Sequence, residues 1–253
     1  MIPKTIHYCW FSGDEKPDLV KRCIESWHKH LPNYNIKCWD GKSFDFDSVD
    51  YVREAMEIKA YAHASDYVRL YALYTEGGIY LDSDVEVFRS FDELLDNRFF
   101  SGVEQFPIYY SRHKISRMCN HIQAAIMGSE KSHPYLKDCL EKYHTLHFKI
   151  AECKYDYSEI PERITEIMEL YGFKRENTFQ KLKNGITIYP NTLIANNVDK
   201  IVPEGCYAFH WGIKSWGNNH NRGKLYQFCW NHDLMKIYHH LEKIGKIYRK
   251  KNI

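Results

Sequence analysis

The chain of 253 residues has no long apolar run. Its longest stretch without Asp, Glu, Lys or Arg, residues 184–198, contains Pro190 and four asparagines, so no segment is expected to cross a bilayer as a helix. Cysteines at metal-binding spacing are missing as well. The eight cysteines, at 9, 23, 38, 119, 139, 153, 206 and 229, form no CxxC and no paired Cys/His pattern, which excludes zinc ribbons and fingers. Neither sign of charge dominates. Lys+Arg 35 against Asp+Glu 33 leaves +2, too balanced for a protein built to neutralise a phosphate backbone, so nucleic acid is not an expected partner. The opening, MIPKTIHYCWFSGDEK, shows no basic flank followed by an apolar core and a small-residue cleavage site. A cytoplasmic protein with reduced thiols is the expectation. No repeat, low-complexity stretch or linker divides the chain.

What is present is an ordinary globular balance, 44% hydrophobic and 27% charged, with an aromatic share raised by 20 Tyr and 6 Trp. Rings with a polar tip suit sugars and nucleobases, whose faces are apolar and whose edges hydrogen-bond. The apolar run Ile2 to Trp10 reads as a buried first strand. Leu19 to His30 follows as a helix with Leu19, Cys23 and Trp27 on one face, and Asn35 to Asp40 as a second strand. Residues 54–76 are strong helix formers stopped by Gly77-Gly78, and Ile79 to Val87 reads as the next strand. Further strands are predicted near Ile122–Met127, Thr187–Tyr189 and Tyr207–Trp211, and helices near Tyr135–Phe148 and Glu162–Tyr171. A last amphipathic helix, Tyr226 to about Lys250, ends in Lys243, Lys246, Arg249, Lys250 and Lys251. Cations at a helix carboxyl end favour its dipole. The alternative is a peripheral contact with anionic lipid.

Chemistry gathers at Asp82-Ser83-Asp84. Two carboxylates two residues apart on an extended segment project to one side and can serve one hard divalent cation, Mg²⁺ or Mn²⁺. A diphosphate is the usual reason for such an ion. Alone, the pattern is equally that of two solvated acids in a turn. Upstream, Asp66 and Arg69 lie three apart on a helix and so share a face, the mark of an ordinary ion pair or of a binding site.

Together Ser65-Asp66-Tyr67-Val68-Arg69, Gly77-Gly78 and Ile79-Tyr80-Leu81-Asp82-Ser83-Asp84 compose SDxxR…GGxYLDxD. With Ile2-Pro3-Lys4-Thr5-Ile6-His7 ahead and His210-Trp211-Gly212-Ile213-Lys214-Ser215-Trp216 behind, residues 1 to 217 resemble the glycosyltransferases with a DXD-containing sugar-binding region. That group includes fungal initiating mannosyltransferases and bacterial capsular polysaccharide transferases.

The resemblance implies an α/β architecture of the GT-A nucleotide-diphospho-sugar transferase type, a Rossmann-like mixed sheet flanked by helices. It would occupy residues 1–223, with 224–253 as a basic amphipathic helix on the same domain. It also implies a retaining, metal-dependent hexosyltransferase taking UDP-galactose or UDP-glucose, or alternatively GDP-mannose. The acceptor would be a saccharide or a lipid-linked oligosaccharide of capsule or surface polysaccharide, met in the cytoplasm or at the inner membrane face. By the same resemblance Trp10 lies near the nucleobase, Asp66 and Arg69 bind donor sugar or diphosphate, and Tyr80 braces them. Asp82, Asp84 and His210 hold Mn²⁺ or Mg²⁺, and Ser215 with Trp216 closes over the diphosphate, while residues 217–223 suit a lid. Asp66, Arg69 and Asp84 are the residues expected to carry the reaction, by front-face substitution. The family's sugar-facing asparagine is replaced by Gln123, or the register of Asn120 to Gly128 is shifted by three. Two other classes compete: a phosphohydrolase with a DxD strand end, against which Glu86 and the motif's late position speak, and a carbohydrate-binding module without catalysis.

Overall fold

The computed structural model describes residues 1–111, 114–195 and 201–212, with only the backbone given for residues 106–118 and 195 among them. Ser215, Trp216, the 217–223 segment and the carboxyl-terminal helix all lie outside the described residues, as does the boundary at 223/224.

The opening follows the sequence pattern. Strand β1 (Thr5–Cys9), helix α1 (Asp18–His30) and strand β2 (Asn35–Trp39) form a parallel βαβ unit. Leu19, Val20, Cys23, Ser26 and Trp27 make the buried stripe of α1. The expected helix over 54–76 is two helices, α2 (Asp50–Glu57) and α3 (Tyr61–Glu76), parted where Lys59 takes φ 58°. The expected strand over 79–87 is likewise two, β3 (Gly78–Leu81) and β4 (Val85–Val87). The residues between them form a turn, with Val85 N donating to Asp82 O at 2.9 Å. Next come the long strands β5 (Phe99–Ser111) and β6 (Lys114–Ser129), helix α4 (Pro134–His144) and the short hairpin β7 (Lys149–Ala151) and β8 (Lys154–Tyr155). Helix α5 (Ile160–Leu170) and strands β9 (Gln180–Lys181), β10 (Ile186–Tyr189), β11 (Ile194–Ala195) and β12 (Ala208–His210) complete the order.

Seven strands make a mixed sheet in the order β2-β1-β3-β6-β5-β10-β9, in which β1 is parallel to β2 and β3 while β6 runs antiparallel to both β3 and β5. The α/β mixed sheet expected from the sequence is therefore present. A second sheet, β11-β12-β4, sets β12 antiparallel to β4 with His210 opposite Val85. One core packs α2, α3, α4 and α5 against the main sheet, and another packs α1 and the small sheet. Trp27 Nε1 donates to Val85 O at 2.8 Å, tying α1 to β4.

The turn from α3 into β3 explains both the double glycine and the first-strand histidine. Gly77 and Gly78 have φ +69° and +109°, and a Cβ on Gly78 would lie 2.6 Å from Thr5 O. His7 bridges Gly77 O, at 2.8 Å from Nε2, and Trp39 Nε1, which donates to Nδ1 at 3.0 Å. Gly78→Ala is expected to cost about 3 kcal/mol or more, since left-handed strain and backbone overlap add. Urea denaturation of the variant checks this, and an unchanged midpoint would refute the close-approach account.

Candidate active site

The turn between β3 and β4 carries the two acids, and the antiparallel pairing of β12 brings a histidine to them. Ligand atoms of Asp82, Asp84 and His210 all lie within 4.8 Å of one another. His210 Nε2 is 3.3 Å from Asp84 and 3.9 Å from Asp82. The acids converge because the chain turns there, not because an extended strand alternates as the spacing suggested. Burial pulls the His210 imidazole down, and the Asp84 and Asp82 carboxylates outweigh it, so its pKa is raised. Glu104, itself buried, adds to that pull. Two carboxylate oxygens and an imidazole nitrogen at this spacing fit a divalent cation of the Mn²⁺ or Mg²⁺ kind.

Beneath the turn lies Arg69, 4% exposed, with Asp66 at 6%. This is not a surface pair. Arg69 Nη2 donates to Asp66 Oδ1 and Ser65 Oγ at 3.1 Å each, Nη1 to Ala124 O at 2.9 Å and to Asp82 at 3.3 to 3.4 Å, and Nε to Ser65 O at 3.2 Å. All five N–H groups of the guanidinium are thereby engaged inside the protein. Arg69 faces the Tyr80 ring at 4.8 Å, and Tyr80 donates its hydroxyl to Asp82 Oδ1 at 3.0 Å. Tyr80 thus braces the acid of the turn. Burial pushes the Asp66 carboxyl up to about 7 against the pull of Arg69.

A register slip in the β5–β6 pair makes this possible. Ser101 faces Met127 and Val103 faces Ile122, so residues 123–126 bulge opposite Gly102. Ser101 Oγ lies 2.7 Å from Gln123 O and 3.1 Å from Ile126 O. The carbonyl of Ala124 is left for Arg69, and that of Ala125 accepts from Asp82 N at 2.9 Å. Beside them Gln123 is fully buried, with neither atom of its side-chain amide hydrogen-bonded among the described residues.

Trp10 stands at the end of β1, 7% exposed, with Nε1 donating to Asp14 O at 2.9 Å and Lys16 over its ring at 5.3 Å. The structure therefore brings Asp66, Arg69, Tyr80, Asp82, Asp84 and His210 together, and Trp10 sits at the exit of the strand next to β3. Ser215 and Trp216 fall outside the described residues. Sequence reasoning missed Glu104 and His63. The latter precedes Asp66 by one helical turn, with its Nδ1 3.7 Å from Asp66 Oδ2. A histidine at i−3 of a motif acid was the available signal.

Fold and site together define an α/β protein with a cation-type acid cluster built over a buried carboxylate–guanidinium pair. Residues 17–100 match the model of a family described as the glycosyltransferase sugar-binding region containing a DXD motif. The chain is 32% identical over 142 residues to inositol phosphoceramide mannosyltransferase 3 of Schizosaccharomyces pombe, a match over 53% of this chain and 35% of that protein. It is 26% identical over 140 residues to an uncharacterized glycosyltransferase of Acanthamoeba polyphaga mimivirus, covering 53% and 52%. The chain thus spans about a third to a half of these relatives' lengths. Among solved structures it is similar to a glycosyltransferase involved in glycosylation of the major capsid of PBCV-1, with TM-score 0.46, 12% identity and coverage of 83% and 95%. A galactosyltransferase, LgtC, gives TM-score 0.38 at 12% identity, covering 82% and 87%. At these scores the fold rests on the sheet order itself. Among the described residues no helix is long and apolar enough to cross a membrane.

Proposed function

We propose that the chain is a retaining hexosyltransferase of the GT-A type that moves a hexose from a nucleoside diphosphate sugar, UDP-galactose or UDP-glucose, to a saccharide hydroxyl. The observation that carries this reading is the meeting of the Asp82–Asp84–His210 cluster with the buried Asp66–Arg69 pair in one place. A solvated acidic turn has no use for such a base. Asp82, Asp84 and His210 would hold Mn²⁺ or Mg²⁺, which when bound supplies stabilisation of the diphosphate's negative charge. Asp66 would accept hydrogen bonds from donor hydroxyls, and Arg69 holds Asp66 and Asp82 in place. Gln123, with its unengaged amide, would turn to the sugar. Trp10 would lie beside the base, and Ser215 and Trp216 would close on the diphosphate. Attack by the acceptor hydroxyl on the face the diphosphate leaves accounts for retention, with positioning and electrostatics supplying the rate. A lipid-linked oligosaccharide acceptor, of the kind used for capsule or surface polysaccharide, goes with the basic carboxyl-terminal sequence.

The mannosyltransferase name of the fission yeast relative favours a second donor, GDP-mannose. Screening UDP-galactose, UDP-glucose and GDP-mannose for Mn²⁺-dependent hydrolysis separates the two. The expected result is release of one nucleoside diphosphate only when the ion is supplied. Turnover of p-nitrophenyl phosphate with no nucleotide-sugar cleavage would instead establish a phosphohydrolase.

A further inference from the structure

Glu86 stands two residues beyond Asp84, yet its carboxylate is not among the clustered ligand groups of Asp82, Asp84 and His210. Side chains alternate along β4, with Val85 and Val87 buried and Glu86 half-buried on the other face. Strand β12 pairs with Phe209 opposite Glu86 and His210 opposite Val85, so Phe209 shares the face of Glu86 while His210 takes the opposite one. Trp211, one residue past β12, donates twice: its backbone N to Asp84 O at 3.1 Å, and its Nε1 to Glu86 Oε2 at 2.9 Å. The same Oε2 accepts from Arg22 Nη2 of α1 at 3.2 Å. The Arg22 guanidinium in turn lies over the Trp211 ring at 5.4 Å, which closes a triangle of contacts.

An isolated Arg22–Glu86 pair, with side chains 39% and 17% exposed, would contribute little. Its setting gives it a further use. β4 is the outer strand of the small sheet, so its open edge needs partners. Helix α1 supplies them: Trp27 Nε1 donates to Val85 O at 2.8 Å, and Ser26 Oγ accepts from Val87 N at 2.9 Å. With Arg22 on Glu86, α1 holds three successive residues of β4, and through Glu86 that hold extends to Trp211, the residue after His210. His210 Nε2 lies 3.3 Å from Asp84 and 3.9 Å from Asp82, so a small shift of this stretch of chain would part the imidazole from the acids.

We propose that Glu86 is a positioning residue for the cation site: by tying the Trp211 indole to α1 it fixes the chain just past His210, and so keeps the imidazole within reach of Asp82 and Asp84. The idea rests on the reading of those three side chains as a cation site. Glu86 acts through position and not through its charge, which Arg22 already offsets. Groups outside the inner ligands that orient a metal-binding histidine are typically worth tenfold to a hundredfold in metal affinity, about the size of effect expected here.

The test reads Mn²⁺ affinity and needs no turnover. Binding is followed by electron paramagnetic resonance of added Mn²⁺, with UDP or GDP present. Glu86→Leu, which removes the acceptor, and Trp211→Phe, which keeps a ring and removes the donor, are each expected to weaken Mn²⁺ binding by about tenfold or more. Both remove one contact, so the double variant should bind no more weakly than the weaker single one. Glu86→Gln keeps an oxygen for the indole N–H without the charge, and its affinity should lie nearer to the wild type than to Glu86→Leu. Wild-type affinity in Trp211→Phe overturns the proposal, and so do losses that multiply in the double variant. Equal loss in Glu86→Gln and Glu86→Leu would assign the effect to charge and likewise overturn it. Should Glu86→Leu fail to fold, Trp211→Phe and Glu86→Gln decide by the same criteria. A wild-type chain that binds no Mn²⁺ with either nucleotide contradicts the cation reading and takes this proposal with it, whereas wild-type binding that the variants leave unchanged contradicts the proposal alone.

Discussion

Asp84→Ala is expected to abolish Mn²⁺-dependent cleavage of the donor, a loss on the order of a thousandfold or more, because charge stabilisation by a bound ion is worth several kcal/mol and each 1.36 kcal/mol is tenfold. The fold should survive. Asp84 contributes to the architecture through its backbone, whose carbonyl accepts from Trp211 N at 3.1 Å, and that bond does not depend on the side chain. Of the three cluster members, Asp84 is the most buried and the nearer acid to His210, so its removal leaves Asp82 and the imidazole with no shared ion. Asp84→Asn keeps the volume and removes the charge; it should fail in the same way. Electron paramagnetic resonance of added Mn²⁺ separates loss of the ion from loss of the donor. A variant that cleaves donor at the wild-type rate with Mn²⁺ would remove the acid cluster from the reaction.

Arg69→Met should cost the fold more than any other single change in the site, about 3–5 kcal/mol, because it leaves buried charge without its partner. Asp66 and Asp82 would lose their common cation, and the carbonyls of Ser65 and Ala124 their donors. For a chain of this size each kcal/mol moves the melting temperature by about 2–4 °C, so a fall of about 10 °C is expected. Arg69→Lys keeps the charge but cannot serve acceptors in five directions, and should fall between the two. A melting temperature within a degree or two of wild type in Arg69→Met would mean that the pair behaves as an exposed one. The same engagement distinguishes Arg69 from a diphosphate-binding fork. Its donors are already committed to Asp66, Asp82, Ser65 and Ala124, so its effect on donor affinity is expected to pass through the two acids it holds.

The sequence disclosed those parts of the molecule that depend on local pattern. The β1–α1–β2 opening shows in its periodicity and its Pro and Gly punctuation, and the placement of Asp66 and Arg69 on one helical face follows from their spacing. Burial of that pair did not show, since it depends on β6 crossing beneath. The break between α2 and α3 carries no glycine or proline at Lys59, so residues 54–76 read as one helix. Ile79 to Val87 alternates well enough to pass for one strand, and only the pairing of β12 with β4, more than 120 residues apart in sequence, explains why it turns at the acids. The β5–β6 ribbon was largely invisible because Pro107 interrupts its first strand and demotes it on propensity. Its bulge, which frees the Ala124 carbonyl, is set by Ser101 across the sheet.

Calorimetric titration of the wild-type chain with UDP and with GDP, each in the presence and absence of Mn²⁺, tests most directly whether the turn acids and His210 serve an ion that a diphosphate completes. One nucleotide should bind far more tightly with the ion than without it. Equal affinity under both conditions, or no binding of either nucleotide, would contradict the account.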